Sequence, residues 1–219
     1  IIETLLWNFW PRMMTDTADS RRFRCRVVVE DEELSVPMPE NVAPLDLFAK
    51  AMKAARAGSG NDVRSIASQR PARHLGNLAL ERGLRSARHP LVSAHSLIPS
   101  ASHHVALMRP VELVVRYLEG SPLPDERLEW AGVFLASSDA EVERAFADAE
   151  PPAHDDWVPD NLPKSHAKTF VNVALRELKA HAFEQDQLGQ TGAPALAEVP
   201  PLARVAGRLG AALANVGGD

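Results

Sequence analysis

Residues 129–157 read EWAGVFLASSDAEVERAFADAEPPAHDDW. The first eight, 129–136, are a near-continuous apolar run without helical spacing, as expected of the central strand of a sheet. Ser138 and Glu141 then stand at the S-x-x-E spacing of a capping box, in which side chains satisfy the first N–H groups of a helix. Behind it Val142, Ala145, Phe146 and Ala149 share one helical face, and Pro151-Pro152 ends the helix. A central strand followed directly by a capped helix calls for a sheet with helices laid on it.

Working downstream, Pro163 starts the longest amphipathic pattern: Ala167, Phe170, Val171, Ala174, Leu175, Leu178 and Ala182 keep one face. Residues 186–201 are a Gly/Pro/Ala linker, and Leu202, Val205, Leu209 and Leu213 form a short C-terminal amphipathic helix. Upstream, Val105 and Leu107, then Val111, Leu113, Val115 and Tyr117, alternate as two strands on either side of Pro110. Residues 59–102 give the weakest signal. They read as a loop at Gly58-Ser59-Gly60-Asn61, a short strand over 74–81, and an irregular run over 82–102. Before them Pro44 opens a helix with Leu45, Phe48, Ala49 and Met52 as its stripe, and Gly58 closes it. A hairpin spans 22–38, with Phe23, Cys25, Val27 and Val29 alternating against arginines and 30–33 as its turn. Residues 1–14, IIETLLWNFWPRMM, are a helix that Pro11 bends or ends.

This order predicts an α+β domain with a mixed or antiparallel sheet and helices packed on one face. Three parts follow: a helix over 1–14 linking to a preceding region, the α+β domain over 15–185, and a linker with a short helix over 186–219. The stripes place Phe23, Cys25, Val27, Leu113, Val115, Val133, Phe134, Phe146, Phe170 and Leu175 in the core.

The chain opens Ile1-Ile2-Glu3 with its apolar stripe already running, which predicts an internal piece of a larger intracellular protein. A net charge of -5 argues against nucleic acid as the default partner. Cys25 is the single cysteine, so no internal disulfide forms, which fits a reducing, cytoplasmic setting. No stretch approaches the roughly 18 apolar residues of a membrane helix, so no membrane partner is expected.

Nucleotide-cradling loops and a G-x-S-x-G elbow are absent from the sequence, and the lone cysteine has no nucleophile signature. No residue is assigned a catalytic role, and no cofactor or metal is assigned to this segment. His154-Asp155-Asp156 is the densest polar cluster. With His103-His104 or His95 it has the residue types of a metal site; equally, it ties down an irregular loop anchored by Trp157. Arg21, Arg22, Arg24 and Arg26 form a basic strand face balanced by Glu30, Glu32 and Glu33. Arg70, Arg73, Arg82, Arg85 and Arg88 form a second basic stretch, suited to an anion or simply to solvent. Arg109, at a strand end beside Pro110, is placed either to reach a ligand or to cap a surface turn.

Three phrases together carry a resemblance: LLWNFWPRM at 5–13, HVALMRPVELVVRY at 104–117, and the 129–157 stretch, most specifically AEPPAHDDW. They resemble the region that follows the ATP-binding domain in large bacterial GHKL-type ATPases, relatives of gyrase, chaperone and histidine-kinase ATPases. The likeness spans roughly 1–185. It implies a non-catalytic transducer or middle domain, a preceding ATPase domain of the same chain as its partner, and a parent protein with a role in phage defence. ATP and magnesium would bind that preceding domain, and Arg109 would be the residue reaching a phosphate. Against it stands a self-contained module binding protein or nucleic acid, with no ATP linkage.

Overall fold

The apolar run is the central strand of a five-stranded sheet. In a computed structural model that describes residues 1–85 and 96–186, β7 (Leu128–Ala136) lies between β4 (Ala72–Leu84) and β5 (His103–Met108). It runs antiparallel to β4 and parallel to β5. β3 (Val63–Gln69) and β6 (Val114–Glu119) close the two edges, each antiparallel to its neighbour, giving the order β3-β4-β7-β5-β6. The class is α+β with a mixed sheet, as the order of elements predicts.

The helices lie on both faces of that sheet, which corrects the one-face placement. α1 (Ile2–Met13) and α2 (Leu45–Ala57) bury Leu6, Trp10, Phe48 and Met52 against Ala131 and Val133 of β7. On the other face α3 (Ala140–Ala149) and α4 (His166–Phe183) bury Phe146, Phe170 and Leu178 against Trp130 and Phe134. Successive side chains of a strand point to opposite faces, so the run through 130–136 supplies apolar groups to both layers.

α3 is capped one residue later than predicted. Asp139, not Ser138, accepts from Glu141 N (3.0 Å) and Val142 N (3.1 Å), and a carboxylate here also meets the positive end of the helix. The hairpin over 22–38 is shorter than its alternation suggested. β1 (Val27–Val29) and β2 (Glu32–Leu34) are joined by Glu30-Asp31, both with positive φ, into a two-stranded ribbon outside the main sheet. Only its first residue, Val27, is buried; Cys25 is half-buried and Phe23 is 39% exposed. Leu113 and Val115, at and before the edge strand β6, and Leu175 are half-buried too, whereas Val133, Phe134, Phe146 and Phe170 are fully buried.

The larger correction is at 59–85. The strand expected over 74–81 lies within the thirteen-residue β4, and with β3 it forms the longest hairpin among the described residues. Three of its arginines are engaged, Arg73 with Glu141 (3.2 Å), Arg82 with Asp62 (3.2 Å), and Arg85 with the Ser100 carbonyl (3.2 Å). In the first basic stretch Arg26 pairs with Glu33 and Arg24 with Asp19. Arg88, His95 and the C-terminal helix predicted over 202–213 lie outside the described residues. Among those described, no helix is long and apolar enough to cross a membrane.

Candidate functional site

α3 stops because Pro151 and Pro152 cannot continue it, and the residue at its end, Glu150, turns its carboxylate inward. That side chain is only 2% exposed. Arg109, just past the end of β5, donates to it through Nε (2.6 Å to Oε1) and Nη2 (3.3 Å to Oε2). His154 Nδ1 lies 2.8 Å from Oε2, and Trp157 Nε1 donates to Oε1 at 3.3 Å. A carboxylate withdrawn from water must recover its lost hydration from such donors, and Glu150 gathers them from three side chains.

The loop 151–157 is shaped by the same contacts. His154 N donates to the Pro151 carbonyl (2.9 Å), and His154 sits at φ +54°, a conformation uncommon for a side chain of its size. Trp157 is 2% exposed, with its ring 4.5 Å from Phe146 and 6.0 Å edge-on from Phe134. Val158 N then returns to the Ala149 carbonyl at 2.9 Å. Trp157 is therefore the anchor that its size and setting suggest.

Of the cluster singled out in sequence, the structure brings together Arg109, His154 and Trp157, with Glu150 as an unpredicted centre. Asp156 turns away to Arg116 (2.6 Å) and caps its neighbour's N–H (Trp157 N, 2.8 Å), and Asp155 is exposed. His154, Asp155 and Asp156 therefore do not converge on one point. Arg109 is at the lip of the sheet as expected, but it is already bonded. The signal for Glu150 lay in its position, an acid at a helix end ahead of two prolines, with a His and a Trp within seven residues.

Beside this centre runs a groove of about 600 Å³ lined by Asn8 and Phe9 of α1, Val111, Leu113, Arg109 and His154. Its lining mixes apolar side chains with a few polar ones, the usual make-up of a binding cleft. α1 is held over the sheet from the inside by Tyr117, whose hydroxyl accepts from Trp10 Nε1 (2.9 Å) and donates to the Trp7 carbonyl (2.5 Å). Burial pushes the Tyr117 phenol well above its ordinary pKa, so it serves as a neutral strut.

His103 and His104 are not near His154. They start β5 while Arg109 follows its end, about 20 Å away at about 3.3 Å per residue. Instead they meet Glu119, the cross-strand partner of His104 at the end of β6. His103 Nε2 lies 3.0 Å from Glu119 Oε1, the two imidazole rings are 4.6 Å apart, and His104 Nδ1 accepts from the His103 N–H at 3.2 Å. Burial, with the neighbouring His103, pushes the His104 imidazole down to about 4 in spite of Glu119, so it is neutral at pH 7. The hydrogen bond from His103 and the two imidazoles hold Glu119 below the usual carboxylate range. Sequence reasoning missed this group because the acid is brought to the histidines only by strand pairing.

No protein-family model, curated protein or solved structure matches this chain.

Proposed function

We propose that this chain is a non-catalytic coupling module, a transducer domain that reads an anionic group at the Arg109 groove and passes its presence to α1. The observation that carries this is convergence. All three phrases behind the GHKL resemblance line one groove: Asn8 and Phe9 from the first, Arg109, Val111 and Leu113 from the second, and Glu150 and His154 from the third. In the reading the resemblance suggests, the anion is the terminal phosphate of ATP held by a preceding GHKL-type domain, with partner contacts changed as a result.

The chemistry is an exchange. Arg109 binds a carboxylate through a planar two-point contact, and a phosphate offers the same geometry with more charge. When Arg109 swings to an arriving anion, Glu150 keeps His154 and Trp157 as donors, so the buried carboxylate is not stranded. The move shifts one wall of the groove relative to α1 on the other. Nothing in this exchange makes or breaks a covalent bond, and no nucleophile is required.

Two measurements test the reading. Calorimetry of the chain with magnesium and ATP should show no binding, because the donors for a whole nucleotide are not gathered here. Joined to its preceding region, the protein should turn over ATP, and Arg109→Gln should lower that rate while the far-ultraviolet dichroism stays the same. Micromolar binding of magnesium-ATP to the chain alone would overturn the proposal.

A second reading has its own observation. On the β1–β2 ribbon Val28, Val29 and Leu34 are exposed, and Phe23 leads into it. An apolar ribbon outside the main sheet suits a self-contained protein-interaction module, which predicts that Val28→Lys abolishes partner capture and leaves ATP turnover unchanged.

A further inference from the structure

We propose that His103, His104 and Glu119 form a binding site for a divalent first-row transition metal, with zinc(II) as the type ion. Each of the three offers one ligand atom, and the three atoms all lie within 4.8 Å of one another. The shortest pair, His103 Nε2 and Glu119 Oε1, is 3.0 Å apart, close to the edge of about 3.3 Å expected between ligands in a tetrahedron with bonds of about 2.0 Å. A metal entering this space replaces the proton shared by that pair and draws in the second imidazole from a ring 4.6 Å away.

The scaffold is already set. His104 and Glu119 are direct cross-strand partners, and Gly120 N donates to the His103 carbonyl at 2.8 Å, pinning the start of β5 to the end of β6. Ligands mounted on paired strands lose little freedom when they bind. His104 Nδ1 is held by the His103 N–H, which fixes that ring. One residue earlier, Ser102 is 1% exposed, and its hydroxyl has no hydrogen-bond partner.

The donor set decides the class of ion. Two imidazoles and one carboxylate suit zinc, nickel or iron(II); calcium and magnesium take oxygen donors almost alone, and copper(I) prefers sulfur. Three protein ligands leave a fourth position open, and the Glu119 side chain is 72% exposed, so that position faces solvent. The site therefore belongs to the exchangeable kind that carries a bound water or accepts a ligand from a partner, unlike a closed structural zinc. It stands apart from the Arg109 groove, and neither proposal depends on the other.

The experiment uses the whole 219-residue chain, stripped with a chelator and titrated with zinc chloride by calorimetry and with cobalt(II) by visible absorption. One saturable equivalent is expected, together with the d–d bands of a low-coordinate cobalt. Glu119→Gln and His103→Gln should each weaken uptake about tenfold or more, since each removes one of three protein ligands. Glu119 is exposed, so Glu119→Gln should keep the thermal midpoint of the metal-free chain and decides the matter even if a histidine variant fails to fold. No saturable uptake by the unaltered chain would overturn the proposal. So would uptake that is unchanged in Glu119→Gln, which would place the metal on other histidines or on Cys25.

Discussion

The two ends of β5 solve the same problem in opposite ways. At the Arg109 end a carboxylate is buried and three side chains, Arg109, His154 and Trp157, converge on it. At the His103 end the carboxylate is exposed, the donors are imidazoles with a nitrogen to spare, and a buried hydroxyl beside them is unpaired. The first arrangement holds segments together; the second has capacity left over. Residue types alone do not separate the two, since each end has an acid, a histidine and an apolar surround. What separates them is how much of the bonding capacity is already used.

The largest expected effect tests the filled end. Trp157→Ala should destabilise the fold by about 3 kcal/mol, the scale for losing a buried large aromatic, as read from the urea midpoint. An unchanged midpoint would mean that Trp157 does not hold the loop. Next comes the other end. Zinc at about a hundredfold above its Kd should stabilise the chain by about 2.7 kcal/mol, and Glu119→Gln should remove that gain. If zinc stabilises the Glu119→Gln variant equally, the spare capacity at the His103 end is not where the metal binds.

A smaller effect separates charge from shape at the filled end. Glu150→Gln keeps the size of the side chain but leaves Arg109 facing a neutral amide, and should lose about 2 kcal/mol in the same urea experiment. A loss below about 0.5 kcal/mol would show that the pair with Arg109 is worth no more than a surface salt bridge. The smallest effect belongs to Glu119→Gln without metal. An exposed His–Glu contact is screened by solvent and salt, so the urea midpoint of the metal-free chain should not move measurably.

The sequence showed the four helices and the strand at the centre of the sheet because their apolar residues repeat at clear spacings. It hid the β3–β4 hairpin for a physical reason. β3 is an edge strand in which only Ile66 and Ser68 are buried, so its pattern is mostly polar. β4 contains Gly83, which read as a breaker, so only 74–81 of the strand was legible. At Gly76, with φ +151°, an added Cβ would come within 2.4 Å of the Leu135 carbonyl oxygen, so glycine is there for close strand approach. The two-sided cover of the sheet was legible in principle, because a strand apolar at consecutive positions needs a layer on each face. Of the candidate site, Arg109, His154 and Trp157 were legible as unusual residues. Glu119 was not, since its role depends on a partner 16 positions away, and Glu150 showed only its local neighbours, with Arg109 lying 41 positions off.

The place of β7 has a consequence for how the chain is assembled. Among the described residues it is the last strand in sequence order, yet it is the one that joins the β3–β4 hairpin to the β5–β6 hairpin. A nascent chain emerging from the ribosome therefore carries two separate ribbons until residue 136 is out, each with an apolar edge open to other chains. Sheet closure waits on this long-range pairing, which costs more loop-closure entropy than either hairpin does alone.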